Sequence, residues 1–247
     1  NAFMEIQKSY PYEQFFVTSS SKDKKKLIVY MTSDINPGTY FLYDRDQSKF
    51  TPLARSWSKI DYQDLNQMIA YDFNNRDGVP IQAFLTQAKN KSNKKTIIYP
   101  HGGPWARDYW GFEPTAQFLA ENNFNVIQMN IRGSTGYGYE FAAEVFGNFE
   151  EVLEDIYDGI EFFDAEGLID KNNLCIYGGS YGGYAATMAP INRPDLFKCA
   201  ASDAGLYDME AQYKRGDVRR SRGGKVFLDR AFKGKDGKLD ASQSPIN

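Results

Sequence analysis

The run Gly178-Gly179-Ser180-Tyr181-Gly182 sets one hydroxyl between two glycines, each two residues away. A serine in the pattern G-x-S-x-G can attack a carbonyl when a sharp strand-to-helix turn lifts it clear of the backbone. The context fits, because the apolar run Leu174-Cys175-Ile176-Tyr177 precedes it and small residues follow over 182–189. In so tight a turn, side chains two before and two after the serine would collide, and glycine removes them. The start of the next helix then aims free amides at developing negative charge. Ser180 is the candidate nucleophile.

A second piece is Tyr99-Pro100-His101-Gly102-Gly103-Pro104, directly after a strand expected over 96–99. Glycine there lets the backbone reach a substrate carbonyl oxygen. The amide of Gly103, with that of Tyr181 beyond the nucleophile, is expected to form an oxyanion hole. Each such donor is worth roughly 3 kcal/mol of transition-state stabilisation. A third piece, Asn130-Ile131-Arg132-Gly133-Ser134-Thr135-Gly136-Tyr137-Gly138, contains G-x-x-G-x-G. It lacks the Lys-Ser/Thr of a phosphate loop, and its glycine order is wrong for a dinucleotide site. It is expected to be a structured loop beside the active site. No cofactor is implied, and no Cys/His/Asp cluster suggests a metal.

These pieces need a scaffold. From about residue 65, two strands over 68–73 and 79–85 flank the hairpin signal Asn74-Asn75-Arg76-Asp77-Gly78. Strands over 125–129, 174–177 and 198–202 then alternate with helices over 114–121, 150–166 and from 182 onward. That alternation predicts an α/β class with a mainly parallel sheet covered on both faces. Residues 1–64 differ, with short β-like runs at 14–18, 26–31 and 39–44 separated by turn residues, the pattern of antiparallel strands. They suit one or two blades of a β-propeller. Residues 210–241 are polar and glycine-rich, with Arg215, Arg219, Arg220 and Arg222 clustered, and read as a surface excursion or a helical cap.

Together the three motifs resemble the prolyl oligopeptidase family, in particular its acylaminoacyl-peptidase and dipeptidyl-peptidase branches. Supporting runs are Asp155-Ile156-Tyr157-Asp158-Gly159-Ile160, Arg193-Pro194-Asp195-Leu196-Phe197-Lys198 and Ser244-Pro245-Ile246-Asn247. The resemblance implies an α/β-hydrolase fold with its last strands missing, preceded by a short β-rich segment of a β-propeller. Residues 1–64 would be the end of that propeller. Residues 65–247 would be a catalytic domain that stops before the family's acid and histidine. The implied activity is that of a serine-type peptidase on short peptides, acylaminoacyl-, dipeptidyl- or oligopeptidase in kind. Ser180 would be its nucleophile, with the N–H groups of Tyr181 and Gly103 as the oxyanion hole. The alternatives are a carboxylesterase and a non-catalytic binding module on a dead scaffold.

A serine hydroxyl needs a general base. The triad order on this fold is Ser, then Asp or Glu, then His. The chain has a single histidine, His101, which precedes the nucleophile and is expected to be structural. Asp203 and Asp208 follow the sixth strand and are likewise expected to be structural. The chain is therefore expected to be a fragment, inactive by itself.

The remaining features exclude rather than assign. A formal net charge of -3 gives no electrostatic argument for nucleic acid. No apolar run approaches the roughly 18 residues of a membrane span. No signal peptide is visible, which favours the cytoplasm over export. A homo-oligomer is compatible with the sequence. Cys175 and Cys199 sit in apolar runs and are expected to be reduced core thiols. Asn90-Lys91-Ser92 fits a glycosylation acceptor, and Arg215-Gly216-Asp217 spells an adhesion tripeptide by chance.

Overall fold

The computed structural model describes residues 2–90, 92, 94–234 and 237–247. Lys91, the middle of the Asn90-Lys91-Ser92 pattern, lies outside the described residues, as do Lys235 and Asp236 of the polar 210–241 segment.

Helix α1 (Ala2–Ser9) leads into strands β1 (Gln14–Ser20), β2 (Lys26–Thr32), β3 (Thr39–Asp44) and β4 (Lys49–Arg55). The strands form one antiparallel sheet in chain order. Period-two alternation turns Leu27, Val29 and Met31 to one face of β2. There they pack with Phe15, Tyr43 and Ile6 of α1. Sequence reading misses β4, because Pro52 interrupts its pattern. The strand pairs with β3 alone, and an edge strand tolerates a missing backbone donor.

The second sheet uses β5 (Met68–Asn74), β6 (Pro80–Thr86), β7 (Thr96–Ile98), β8 (Asn125–Met129), β9 (Leu174–Gly179) and β10 (Phe197–Asp203). Its order is β10-β9-β7-β8-β6-β5. Strands β10, β9, β7 and β8 are parallel, while β6 and β5 join antiparallel. Helices α2 (Pro114–Glu121), α3 (Tyr139–Ala143), α4 (Glu154–Ala165) and α5 (Tyr181–Asn192) occupy the crossovers. On α4, Ile156, Ile160 and Phe163 recur at helical spacing and are buried in one cluster with Ile81, Ile127 and Leu174. Burying each such side chain contributes about 1.5–3 kcal/mol. The helix read over 150–166 is divided, with a 3-10 turn at Glu151–Leu153 before α4. The 210–241 segment resolves into helical caps, α6 (Met209–Arg215) and α7 (Arg222–Phe232).

Buried hydrogen bonds tie the second sheet to the segment after β2. Met68 N–H donates to Asp34 Oδ2 at 2.8 Å. Gln117 Nε2 donates to the carbonyls of Asn66 at 2.7 Å and Asp34 at 3.1 Å.

The expectation of reduced core thiols is corrected. Cys175 and Cys199 form a disulfide. Strands β9 and β10 run parallel with these two residues in register, 4.7 Å apart at Cα. The apolar neighbours of each cysteine signalled strands, but it is the pairing of β9 with β10 in this register that brings the two thiols together.

Candidate active site

Ser180 connects the end of β9 to the start of α5 with φ 55° and ψ -119°. Left-handed backbone at a non-glycine residue costs of order 1–3 kcal/mol and persists only where the surroundings enforce it. Here they do. Ser180 N–H donates to the Asp203 carbonyl at 2.9 Å, anchoring the turn to β10. Two glycines permit the geometry. A Cβ on Gly178 would meet the Gly182 carbonyl carbon and oxygen at 2.4 Å. A Cβ on Gly182 would stand 2.2 Å from the Pro100 carbonyl oxygen.

That second contact shows how the two motifs meet. The backbone after β7 crosses directly over Gly182, and a Cβ on Gly102 would lie 3.5 Å from the Ser180 Cβ. Gly103 takes φ 125°, which a side chain would resist. Tyr181 is the first residue of α5, so its N–H has no intrahelical acceptor. Gly103, Ser180 and Tyr181 line a cavity of about 540 Å³ whose far wall is Phe227, Leu228 and Phe232 of α7. Residues of the two motifs thus border one space. In the full-length protein, substituting Gly182 with alanine is expected to lower covalent labelling of Ser180 by at least about 100-fold, the scale of losing one oxyanion donor. The readout is a fluorophosphonate labelling rate, and a rate within about threefold of the parent would refute the close approach.

The cavity wall is the part that sequence reading missed. Phe227, Leu228, Ala231 and Phe232 share one face of α7, but Gly223-Gly224 and the flanking arginines hide that periodicity. Trp105 links wall to turn. Its ring lies edge-on to Phe227 at 4.9 Å, and its Nε1 donates to the Ala142 carbonyl at 3.0 Å.

His101 is engaged away from Ser180. Its Nδ1 lies 2.7 Å from the Gly102 carbonyl oxygen, an acceptor, so Nδ1 carries the proton. Nε2 lies 2.9 Å from Ser134 Oγ, whose own hydrogen is directed to the Ile131 carbonyl at 2.6 Å. Burial lowers its pKa and favours this neutral form. The ring orients the glycine turn. Asp208 caps α6 by accepting from Ala211 N–H at 2.8 Å. Asp203 contributes its backbone carbonyl to the Ser180 turn.

In the glycine-rich loop after β8, Arg132 is consumed by an ion pair. Its Nε and Nη2 donate to Asp155 Oδ1 at 3.0 and 2.8 Å, and its backbone N–H to Oδ2 at 2.8 Å. Asn75 Nδ2 adds a bond at 2.7 Å to an Asp155 with no exposed surface. The loop is therefore a clamp against α4, in keeping with a structured loop beside the site. Among the described residues, no helix is long and apolar enough to cross a membrane.

A candidate nucleophile on a strand–turn–helix at the end of a parallel sheet, facing a glycine turn from the neighbouring strand, defines an α/β-hydrolase. The fold is shared with acylaminoacyl peptidase of Pyrococcus horikoshii, at a TM-score of 0.72 and 22% identity over 94% of this chain and 37% of that one. Residues 110–222 match the prolyl oligopeptidase family. Dipeptidyl peptidase family member 6 of Caenorhabditis elegans is 30% identical over 213 residues, covering 76% of this chain. Dipeptidyl aminopeptidase BIII of Pseudoxanthomonas mexicana is 30% identical over 198 residues, again 76% of this chain. The chain spans 29% of the length of each of these two relatives.

Proposed function

We propose that this chain carries the nucleophile and oxyanion hole of a serine-type peptidase acting on short peptides. The observation that carries the reading is Ser180 at φ 55°, facing the Gly102–Gly103 turn across a shared cavity. Ser180 Oγ attacks the scissile carbonyl carbon. The oxygen gains negative charge and accepts from the N–H groups of Gly103 and Tyr181. The C–N bond then breaks, the amine leaves with a proton, and the acyl group stays on Ser180 until water displaces it. The base that shuttles the proton is not His101, whose two ring nitrogens are committed to Gly102 and Ser134. The reading therefore requires a histidine, and an acid to orient it, from outside these 247 residues. These residues alone are expected to be inactive.

Peptide substrates are favoured because the relatives carry dipeptidyl-peptidase and acylamino-acid-releasing names. Residues 1–64 are assigned to the end of a propeller and residues 65–247 to the catalytic domain. The test is fluorophosphonate labelling of the full-length protein, with the adduct mapped by mass spectrometry, followed by assays on acylated and free dipeptide amides. An adduct on Ser180 with amide hydrolysis supports the proposal. An adduct with ester hydrolysis alone makes the protein an esterase. A folded protein with no adduct is a binding module.

A further inference from the structure

Two buried oxygens beside the oxyanion turn have no hydrogen-bond partner among the described residues, Asp108 Oδ2 and Gln128 Oε1. They belong to side chains already joined, since Gln128 Nε2 donates to Asp108 Oδ1 at 2.8 Å. With Asp108 ionised, both oxygens are acceptors shut away from any donor. A single proton resolves both. A carboxylic acid and a primary amide pair head to head, amide N–H to one acid oxygen and acid O–H to the amide oxygen. We propose that Asp108 is protonated in the folded protein, its Oδ2–H donating to Gln128 Oε1, and that this neutral pair positions the loop carrying the oxyanion turn.

The loop between β7 and α2 is gripped at this point by the end of β8. Asn130 Oδ1 accepts the Asp108 N–H at 2.8 Å, and Asn130 Nδ2 donates to the Asp108 carbonyl at 3.1 Å. Thr135 N–H donates to the Ala106 carbonyl at 2.9 Å, and Ala106 N–H to the Pro104 carbonyl at 2.8 Å. Gln128 adds the grip on the Asp108 side chain itself. A shift of Asp108 is thus transmitted within a few bonds to Gly103.

The surroundings favour the neutral acid. Burial, reinforced by the Glu113 carboxylate, pushes Asp108 up to about 7 against the pull of the Gln128 bond. The other groups facing it are the phenols of Tyr99 and Tyr137, which bring no positive charge. The Arg107 guanidinium lies over the rings of Tyr109 and Tyr137, and its Nε donates to the Asp108 backbone carbonyl, not the carboxyl, at 3.5 Å.

The catalytic meaning of this pair rests on Gly103 serving as an oxyanion donor, but its proton does not. The test is Asp108→Asn, whose amide supplies the same donor and acceptor pattern without a titrating proton. A carboxyl raised to about 7 when folded, against ~3.9 unfolded, contributes stability that is fully present below ~4. That stability drains as pH rises to about 7 and is flat beyond. The unfolding temperature of the variant minus that of the parent, on full-length protein, is therefore expected to grow by about 5 °C between pH 5 and 7 and then hold constant. A difference that does not change with pH overturns the proposal. Infrared spectroscopy of the parent protein gives a second reading independent of the variant's folding. A protonated-carboxyl band present at about pH 6 and lost by about pH 9 is expected, and its absence at the lower pH overturns the proposal. The labelling rate of the variant relative to the parent is expected to rise across the same range. A flat ratio, with the stability result intact, removes the positioning role alone. Failure of the serine chemistry itself would register as no labelling at any pH and leave the stability and infrared results unchanged.

Discussion

Ser180→Ala in the full-length protein is expected to cut peptide hydrolysis by roughly 10⁴- to 10⁶-fold, the scale of removing a serine nucleophile. It should abolish fluorophosphonate labelling outright. The same residue makes a stability prediction that follows from its backbone alone. Ser180 holds φ 55°, and alanine keeps the Cβ that makes this conformation costly. Glycine does not. Ser180→Gly should therefore unfold at a higher temperature than Ser180→Ala, by about 1 kcal/mol or a few degrees, although both are inactive. Equal unfolding temperatures would mean that the turn relaxes when the hydroxyl is gone. Retained hydrolysis in either variant would move the nucleophile elsewhere.

Asp155→Ala is expected to give the largest loss of stability, about 3–5 kcal/mol, or on the order of 10 °C in unfolding temperature. Asp155 has no exposed surface, and its two oxygens receive Arg132 Nε, Nη2 and backbone N–H together with Asn75 Nδ2. Removing the carboxylate strands a largely buried guanidinium whose other partner is Asp77, 3.0 Å from Nη1. The argument is about an unpaired charge rather than about the worth of the pair. Replacing both partners, as Asp155→Leu with Arg132→Met, should therefore cost less than Asp155→Ala alone. Urea unfolding of the parent and these two variants measures this. A single variant milder than the double one would contradict the unpaired-charge account.

The parts of the site visible in the sequence are those that local backbone chemistry dictates. Gly178 and Gly182 are needed because of atoms within four residues of each other or in the turn after the adjacent strand. Such needs leave a spaced motif. The six strands of the second sheet were likewise legible, since each is an apolar run with its own turn signals. What escaped depends on distant partners. The Cys175–Cys199 pairing requires knowing that β9 and β10 are neighbours in register. The cavity wall on α7 requires knowing which face of a mixed, arginine-rich helix turns inward. The orphaned oxygens of Asp108 and Gln128 are a property of packing, and no spacing in the sequence encodes them.

The disulfide also changes the topology of the chain. It closes a ring over a sequence separation of 24 that contains Ser180, its flanking glycines and all of α5. On the chain-entropy account, closing a ring of that size removes about 3.5 kcal/mol of disorder from the unfolded state. The candidate nucleophile therefore rides on a covalent cycle rather than on an open thread. A backbone cut between positions 176 and 198 would leave a single molecule of nearly unchanged mass, with both lips of the wound still fastened beside the serine.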